Sequence, residues 1–442
     1  MFYWVEYIIL NRKMANFILK EKLRTFLGEV VPPGDKSVSH RAVILGSLAR
    51  GKTRAAGFLA SRDTFATVNA FRSMGVRVDI NAGDVEISGK GLFGLEAPRE
   101  AIDAGNSGTT ARLLAGVLSA QSFPSTVTGD SSLSRRPMSR VTVPLRRMGA
   151  RISGEGETLP LRITGSELRG IDYESPVASA QVKSALLLAG LYAAGKTTVT
   201  ESERTRDHTE RMLRHFGVPV GVDGTRVSVS PAEEFPGAEL EIPSDISSAA
   251  FFIVAALINP GSEIMVKNVG LNPLRTGVLD VLREMGAEIS VENRRERCGE
   301  PVGDVVARHC ALSGVRVEGE SVSRAIDELP VISVAACFAE GETVISGAEE
   351  LRVKETDRIS AMAGELSKLG AQIRETRDGM VINGAEELRG ARCESRGDHR
   401  VAMSLAVAST RARGETVIGD TGCVSISFPE FFPLFNALGK SK

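Results

Sequence analysis

Cysteine and histidine are scarce in this sequence. The five cysteines (Cys298, Cys310, Cys337, Cys393, Cys423) are odd in number, scattered, and form no Cys-x-x-Cys pair, so neither a zinc knuckle nor a disulfide framework is expected. A reducing, cytoplasmic setting fits them. The five histidines (His40, His208, His215, His309, His399) show no His-x-x-x-His or His-Glu-x-x-His spacing, and no metal is expected. A formal charge of -1 lacks the basic excess of a nucleic-acid-binding surface, so any anion must be met by local groups. No apolar run approaches the roughly 18 residues of a membrane span. The apolar start MFYWVEYIILNRK is interrupted by Glu6 and lacks a basic leader and a small-residue cleavage site, which argues against a signal peptide. Residues 1–21 are read as an N-terminal extension, disordered or strand-like, with Met14 as a candidate natural start.

What is present is a soluble, globular balance, 42% apolar and 25% charged over 442 residues, long enough for two cores. A unit repeats through it. GKTRAAGF, SFPSTVTG, GKTTVTES, GSEIMVKN, GETVISGA and GETVIGDT begin at Gly51, Ser122, Gly195, Gly261, Gly341 and Gly414, at intervals of roughly 70 residues, the scale of one supersecondary unit. Each follows a polar loop and a helix of small apolar residues: HRAVILGSLA, TARLLAGVLSA, AQVKSALLLAGLYA, SSAAFFIVAALI, LPVISVAACFA and RVAMSLAVAS. Five units continue into an amphipathic helix closed by glycine and an alternating stretch, as in FRSMGVRVDI and LSKLGAQIRE, which predicts a C-capped helix and a strand. The sixth such helix, FFPLFNALG, ends the chain, and Phe26 to Val31 is the expected source of its strand. Three units per domain follow, one domain being discontinuous. With the small-residue helices inside and parallel, their N-terminal loops share one end of each domain, where amides and helix dipoles favour anions.

The unusual residues gather in those loops. PPGDKSVSHRA presents Lys36, Ser37 and Arg41; DAGNSGTTAR is a small-residue run that a ligand can approach closely. GDSSLSRRPMSR adds Arg135, Arg136 and Arg140, ASAQVKSA adds Ser179, Gln181 and Lys183, and TRDHTER adds Arg206. In the second half stand Asp327 in SRAIDELP, Lys354, Glu355 and Arg358 in EELRVKETDR, and Asp398, His399 and Arg400 in GDHRVAMS. Singly, each has an ordinary alternative: an N-cap, a solvated charge run, or an i,i+3 surface pair. Their recurrence at matching points of the repeat weighs against those alternatives. GLYAAGKT, from Gly190 to Thr197, matches the Walker A pattern. It is rejected because an apolar helix precedes it and a β-rich segment follows, the reverse of a P-loop.

PGDKSVSHRA, GNSGTT, RRPM, ASAQVKSALLLAG, TRDHTE, LRVKETDR, DHR and SFPEF, in this order, closely resemble the EPSP synthases, most of all their class II bacterial subgroup, over about residues 22 to 438. The resemblance implies an α/β fold of two domains, each of three βαβαββ units with internal helices and external sheets, closing on ligands in a cleft. Residues 36–244 would form the continuous domain, on the shikimate 3-phosphate side. Residues 22–35 plus 245–442 would form the discontinuous one, carrying Lys354, Glu355, Arg358 and Arg400 on the phosphoenolpyruvate side.

The implied activity is transfer of the enolpyruvyl group of phosphoenolpyruvate to the 5-hydroxyl of shikimate 3-phosphate, a step toward chorismate and aromatic amino acids. By motif position, Lys36, Ser37, Arg41, Ser179, Ala180, Gln181, Arg206, Asp327 and Lys354 are similar to acceptor contacts. Lys36, Asn106, Gly108, Arg136, Gln181, Arg358 and Arg400 are similar to donor contacts. Lys36, Asp327 and Glu355 take the catalytic roles, Glu355 in proton transfer at the enolpyruvyl methylene and Asp327 near the attacking hydroxyl. No cofactor is required, the chain is expected to be a monomer, and glyphosate is a candidate inhibitor. Ala180 stands where many members have serine, Ile426 where many have lysine, and Gly108 where a glyphosate-tolerant member has alanine. The sister enzymes that use UDP-N-acetylglucosamine are disfavoured, since Ser131 occupies the place of their reactive cysteine. A non-catalytic repeat scaffold is the remaining alternative.

Overall fold

The six small-residue segments form helices that are buried along most of their length: Lys36–Leu48, Gly108–Leu118, Ala180–Gly190, Ile246–Ile258, Leu329–Ala336 and His399–Ser409. A helix apolar all round belongs in a core rather than on a surface, and every residue of Ile246–Ile258 is buried. Asp35, Ser107, Ser179, Asp245 and Asp398 each accept a hydrogen bond from a first-turn amide and so start their helices. Leu329–Ala336 begins instead after Glu328, with no side-chain cap, and Pro330 sits where its missing N–H has no helical partner to lose. Small residues also allow close packing. A Cβ on Gly116 would lie 2.2 Å from the carbonyl oxygen of Ala185, so the second and third of these helices approach almost backbone to backbone.

This structure, a computed structural model, describes residues 16–20, 25–81 and 83–440. The apolar start and Met14 lie outside the described residues. The amphipathic helices Arg62–Ser73, Ser139–Arg147, His208–His215, Gly277–Glu284 and Arg358–Lys368 bury one face each. Gly75 and Gly370, with φ of +83° and +86°, turn the chain out of the first and last of them, a conformation that costs glycine little. Gly190–Thr197 runs from a helix end to the strand Thr197–Thr200, the order that excludes a P-loop.

Each of the first five units adds one sheet whose Gly-led strand pairs in parallel with a short entry strand and antiparallel with the second arm of a hairpin. Thus Arg50–Ala56 lies between Glu239–Glu241 and Asp84–Lys90, with Arg77–Asn81 outermost. The same order recurs around Pro124–Thr128, Thr197–Thr200, Glu263–Gly270 and Glu342–Ile345. Alternation sets the buried face: in Arg50–Ala56 only Thr53 and Ala55 are buried.

The N-terminal expectation needs correction. Thr25–Val30 pairs in parallel with Glu263–Gly270, with Val30 opposite Val266, and so enters the fourth unit's sheet, while its first residues also pair antiparallel with Gly439–Lys440 at the end of the terminal helix, Phe26 opposite Gly439. The sixth unit is completed by Asn16–Leu19, antiparallel to Thr416–Gly419 with Phe17 opposite Ile418. The residues read as an extension up to 21 thus include a strand of the fold. Aromatic packing ties both strands to the terminal helix Phe431–Leu438: Phe17 stacks on Phe432 at 4.6 Å between centroids, and Phe26 packs on Phe435 at 5.1 Å.

The chain divides into two units, each with its own hydrophobic core. The first takes the described residues up to Pro33, Ser244–Arg295 and the chain from Pro301 onward; the second takes Gly34–Pro243 and Glu296–Glu300. Residues 34, 35 and the hairpin tip 296–300, placed by the 22–35 plus 245–442 expectation in the discontinuous domain, thus belong to the second unit, and Ser244 to the first. In the second unit Glu300 pairs with His208 at 2.7 Å, both buried.

Candidate active site

In the second unit, side-chain contacts bring the starts of the three inner helices to one end. Arg41, on the first, donates from Nε to Thr209 Oγ1 at 2.6 Å and from Nη2 to Ser184 Oγ, on the third, at 2.8 Å. Nη1 of Arg41 returns to the Ser37 carbonyl at 2.9 Å. Burial draws this guanidinium down to about 10, against Glu210 and Asp35, so it remains charged at neutral pH. Lys36, at the helix start, lies 3.0 Å from Asp63 and keeps 19% of its side chain exposed, within reach of a ligand.

Around the second inner helix, Arg136 donates from Nη2 to Asn106 Oδ1 at 2.8 Å, while Asn106 Nδ2 donates to Asp130 at 2.8 Å. Gly108 leaves room for two guanidinium tips: an added Cβ would meet Arg112 Nη1 at 2.7 Å, so that side chain would have to shift, and Arg136 Nη1 at 3.6 Å. Arg112 was not among the expected site residues. It is 9% exposed and donates to Gln181 Oε1 at 2.7 Å and to the Pro137 carbonyl at 3.3 Å, and Gln181 Nε2 donates to Thr109 at 3.1 Å. A lone charged residue in an otherwise uncharged helix, four residues after Gly108, was the signal that could have found it. Ser179 is an N-cap, and Ala180 and Gln181 open the helix it starts.

Arg206 lies in the loop between Thr197–Thr200 and His208–His215, close enough to Arg41 to repel its charge. Lys183 anchors that loop from below. Its Nζ meets Glu201 at 2.7 Å and Glu210 at 2.8 Å, all three side chains being 2% exposed, and donates to the Thr205 carbonyl at 3.2 Å. Burial disfavours the Lys183 charge, but the two carboxylates outweigh it and raise its pKa.

The first unit gathers the other set. Arg358, 1% exposed, donates from Nη2 to Glu355 at 2.6 Å and from Nε to Asp398 at 2.8 Å, and its Nη1 lies 3.4 Å from Asp327. Burial would lower its pKa; Asp398, Glu355 and Asp327 reverse that and raise it above the ordinary arginine value. Lys354 Nζ stands 3.6 Å from Asp327. Arg400 donates to the Asp327 carbonyl at 2.7 Å and to Ser247 Oγ at 3.4 Å, and Arg275 reaches the same Ser247 oxygen at 2.7 Å. Arg275, Ser247 and buried Glu328 were not anticipated; Glu328, not Asp327, precedes the helix as its N-cap residue. Here too Ser247, Asp327 and Arg400 lie at the starts of three inner helices, which therefore begin at one end.

Arg41, Arg112, Arg136 and Gln181 thus gather with Lys36 on the second unit, while on the first Lys354, Arg358 and Arg400 interleave with Asp327, Glu355 and Asp398; Arg135 stands exposed outside the first set. Such groups bind small polyanions through charge-assisted and bidentate hydrogen bonds, and the carboxylates can accept and return protons. Among the described residues no three His, Cys, Asp or Glu side chains gather as a metal site.

Residues 21–435 match the sequence model of EPSP synthase (3-phosphoshikimate 1-carboxyvinyltransferase). The chain is 54% identical over 415 residues to the 3-phosphoshikimate 1-carboxyvinyltransferase of Geobacter sulfurreducens, covering 93% of this chain and 97% of that one. Against the protein of the same name from Methylococcus capsulatus it is 55% identical over 415 residues, 93% and 95% of the two chains. An EPSP synthase structure from Acinetobacter baumannii superposes with a TM-score of 0.87 at 48% identity, over 96% of this chain and 98% of that one. That fold is the two-domain enolpyruvyl transferase architecture that the resemblance implied, and it agrees with the sixfold repeat. On sequence, fold and site together, this chain belongs to the EPSP synthase family.

Proposed function

We propose that the chain transfers the enolpyruvyl group of phosphoenolpyruvate to the 5-hydroxyl of shikimate 3-phosphate and releases phosphate. The observation that carries this reading is the gathering of Lys36, Arg41, Arg112, Arg136 and Gln181 at the starts of three inner helices, a set suited to phosphate and carboxylate groups. On that unit Ser37, Arg41, Ser179, Ala180, Gln181 and Arg206 take acceptor contacts, and Lys36, Asn106, Gly108, Arg136 and Gln181 take donor contacts. On the other, Asp327 and Lys354 are assigned to acceptor hydroxyls, and Arg358 and Arg400 to the donor.

The reaction is an addition followed by an elimination. Asp327 accepts the proton of the 5-hydroxyl as its oxygen bonds to C2 of phosphoenolpyruvate, and Glu355 gives a proton to C3, forming a tetrahedral phosphoketal. Glu355 then takes a C3 proton back as the C2–O bond to phosphate breaks and the double bond re-forms, and the proton held by Asp327 leaves with the phosphate, returning both carboxyl groups to their starting states. The cationic surroundings stabilise the anionic groups throughout. All assigned residues come from one chain, so a monomer suffices, and glyphosate is assigned to the donor contacts beside Gly108.

Phosphate release on mixing the purified protein with phosphoenolpyruvate and shikimate 3-phosphate is the direct test. Release only with UDP-N-acetylglucosamine would replace the acceptor, and release with neither would leave a repeat scaffold.

A further inference from the structure

A file of buried polar side chains runs behind the second unit's site and has no part in the chemistry just described. His40 Nδ1 lies 2.7 Å from Thr67 Oγ1, Thr67 Oγ1 lies 2.7 Å from Thr110 Oγ1, and Thr110 Oγ1 donates to Ser107 Oγ at 2.8 Å. All four side chains are at most 1% exposed. They link three separate helices: Lys36–Leu48, Arg62–Ser73 and the N-cap of Gly108–Leu118.

Proton counting gives the file a direction. A hydroxyl has one hydrogen. The Thr110 hydrogen is spent on Ser107, so Thr110 must accept from Thr67; the Thr67 hydrogen is then spent on Thr110, so Thr67 must accept from His40. His40 therefore carries hydrogen on Nδ1. Its Nε2 is buried with no partner. Burial, with Lys36 and Arg41 nearby, holds the imidazole pKa well below its ordinary value, so the ring is neutral and Nε2 bears only a lone pair.

We infer that His40, as the neutral Nδ1–H tautomer, and Thr67, Thr110 and Ser107 form a one-directional hydrogen-bond relay that sets the Asn106–Gly108 loop against the helix bearing Lys36 and Arg41. These are positioning residues. The kinetic consequence rests on the assignment of Asn106 and Gly108 to the donor. Loss of the relay lets Ser107 and its neighbours shift relative to Lys36, and donor contacts suffer before acceptor contacts, since Arg41 is held separately by Ser184 and Thr209.

The test pairs kinetics with nitrogen NMR of histidine-labelled protein. The wild type should show His40 as the neutral Nδ1–H tautomer at neutral pH. Thr67→Val should raise KM for phosphoenolpyruvate by about tenfold and KM for shikimate 3-phosphate by less than about twofold, with Thr67→Ser restoring both. Thr110→Val, which breaks the file but leaves the Ser107 cap on the Thr110 amide in place, gives the same readout if Thr67→Val does not fold. An Nε2–H tautomer or an imidazolium in the wild type would overturn the relay, as would folded variants with an unchanged donor KM. Asn106→Ala separates the two readings: if it leaves donor KM unchanged, the loop assignment falls, and the tautomer still judges the relay.

Discussion

Arg358 donates from Nη2 to Glu355 Oε2 across 2.6 Å, and only 1% of its side chain is exposed. An i,i+3 pair on a solvated helix face contributes a few tenths of a kcal/mol. This one is different in kind, because Asp398 and Asp327 close on the same guanidinium and hold it in place beside Glu355. Glu355→Gln keeps a hydrogen-bonding group of the same shape but cannot exchange protons. The variant should lose on the order of 10³-fold in kcat with both KM values nearly unchanged, measured by steady-state phosphate release; an unaltered kcat removes Glu355 from the mechanism.

Gly108→Ala places a methyl group against Arg112 Nη1, which cannot simply swing away because Gln181 and Pro137 hold its guanidinium. The expected outcome is a donor KM raised by roughly tenfold or more, with the acceptor KM little affected. Competition by glyphosate should weaken in parallel, as read from inhibition titrations of the two proteins.

Lys183→Met strands Glu201 and Glu210 as buried carboxylates. Breaking such a pair from one side costs about 3–5 kcal/mol, visible as a lower denaturation midpoint. Because Lys183 also holds the Thr205 carbonyl, the acceptor KM should rise with it through Arg206. Converting both glutamates to glutamine in the same variant should recover much of the stability.

Glu365 is fully buried, yet it accepts from Lys368 at 2.6 Å, Arg396 at 2.9 Å and the Glu394 amide at 3.0 Å. Burial opposes its charge; these partners outweigh it and hold its pKa below the ordinary 4.5. The folded value is lower than the unfolded one, so its stabilisation is complete above about 4.5 and is lost as pH falls through the folded value. Denaturation midpoints of the wild type should therefore drop more steeply in acid than those of Glu365→Gln.

Phe26→Ala removes a ring buried between Thr25–Val30 and Phe435. A loss of about 3–5 kcal/mol is expected, and hydrogen exchange should quicken in the first unit while the core of the second stays protected.

Much of this was legible locally. Helix starts could be read because a capping Asp or Ser precedes an apolar segment, and the repeat could be read because each unit spells the same order of signals. The charged loops could be read as one chemistry because they recur at one point of that order. Thr25–Val30 could not be allotted fully, since six residues carry no mark of which neighbour they join; in the fold the strand lies between Glu263–Gly270 and Gly439–Lys440, with Phe26 packed on Phe435 of the terminal helix.

The sequence by itself determined which residues can cap, turn, alternate or carry charge, because those properties depend on neighbours within a turn or a strand. Only the tertiary structure decided that Arg112 meets Gln181, that Arg358 is enclosed by Asp398, and that His40 begins a file of hydroxyls ending at Ser107. Those pairs stand tens of residues apart, and a hydrogen bond between distant groups leaves no periodic trace in the chain. It exists only once the inner helices pack and withdraw its members from water.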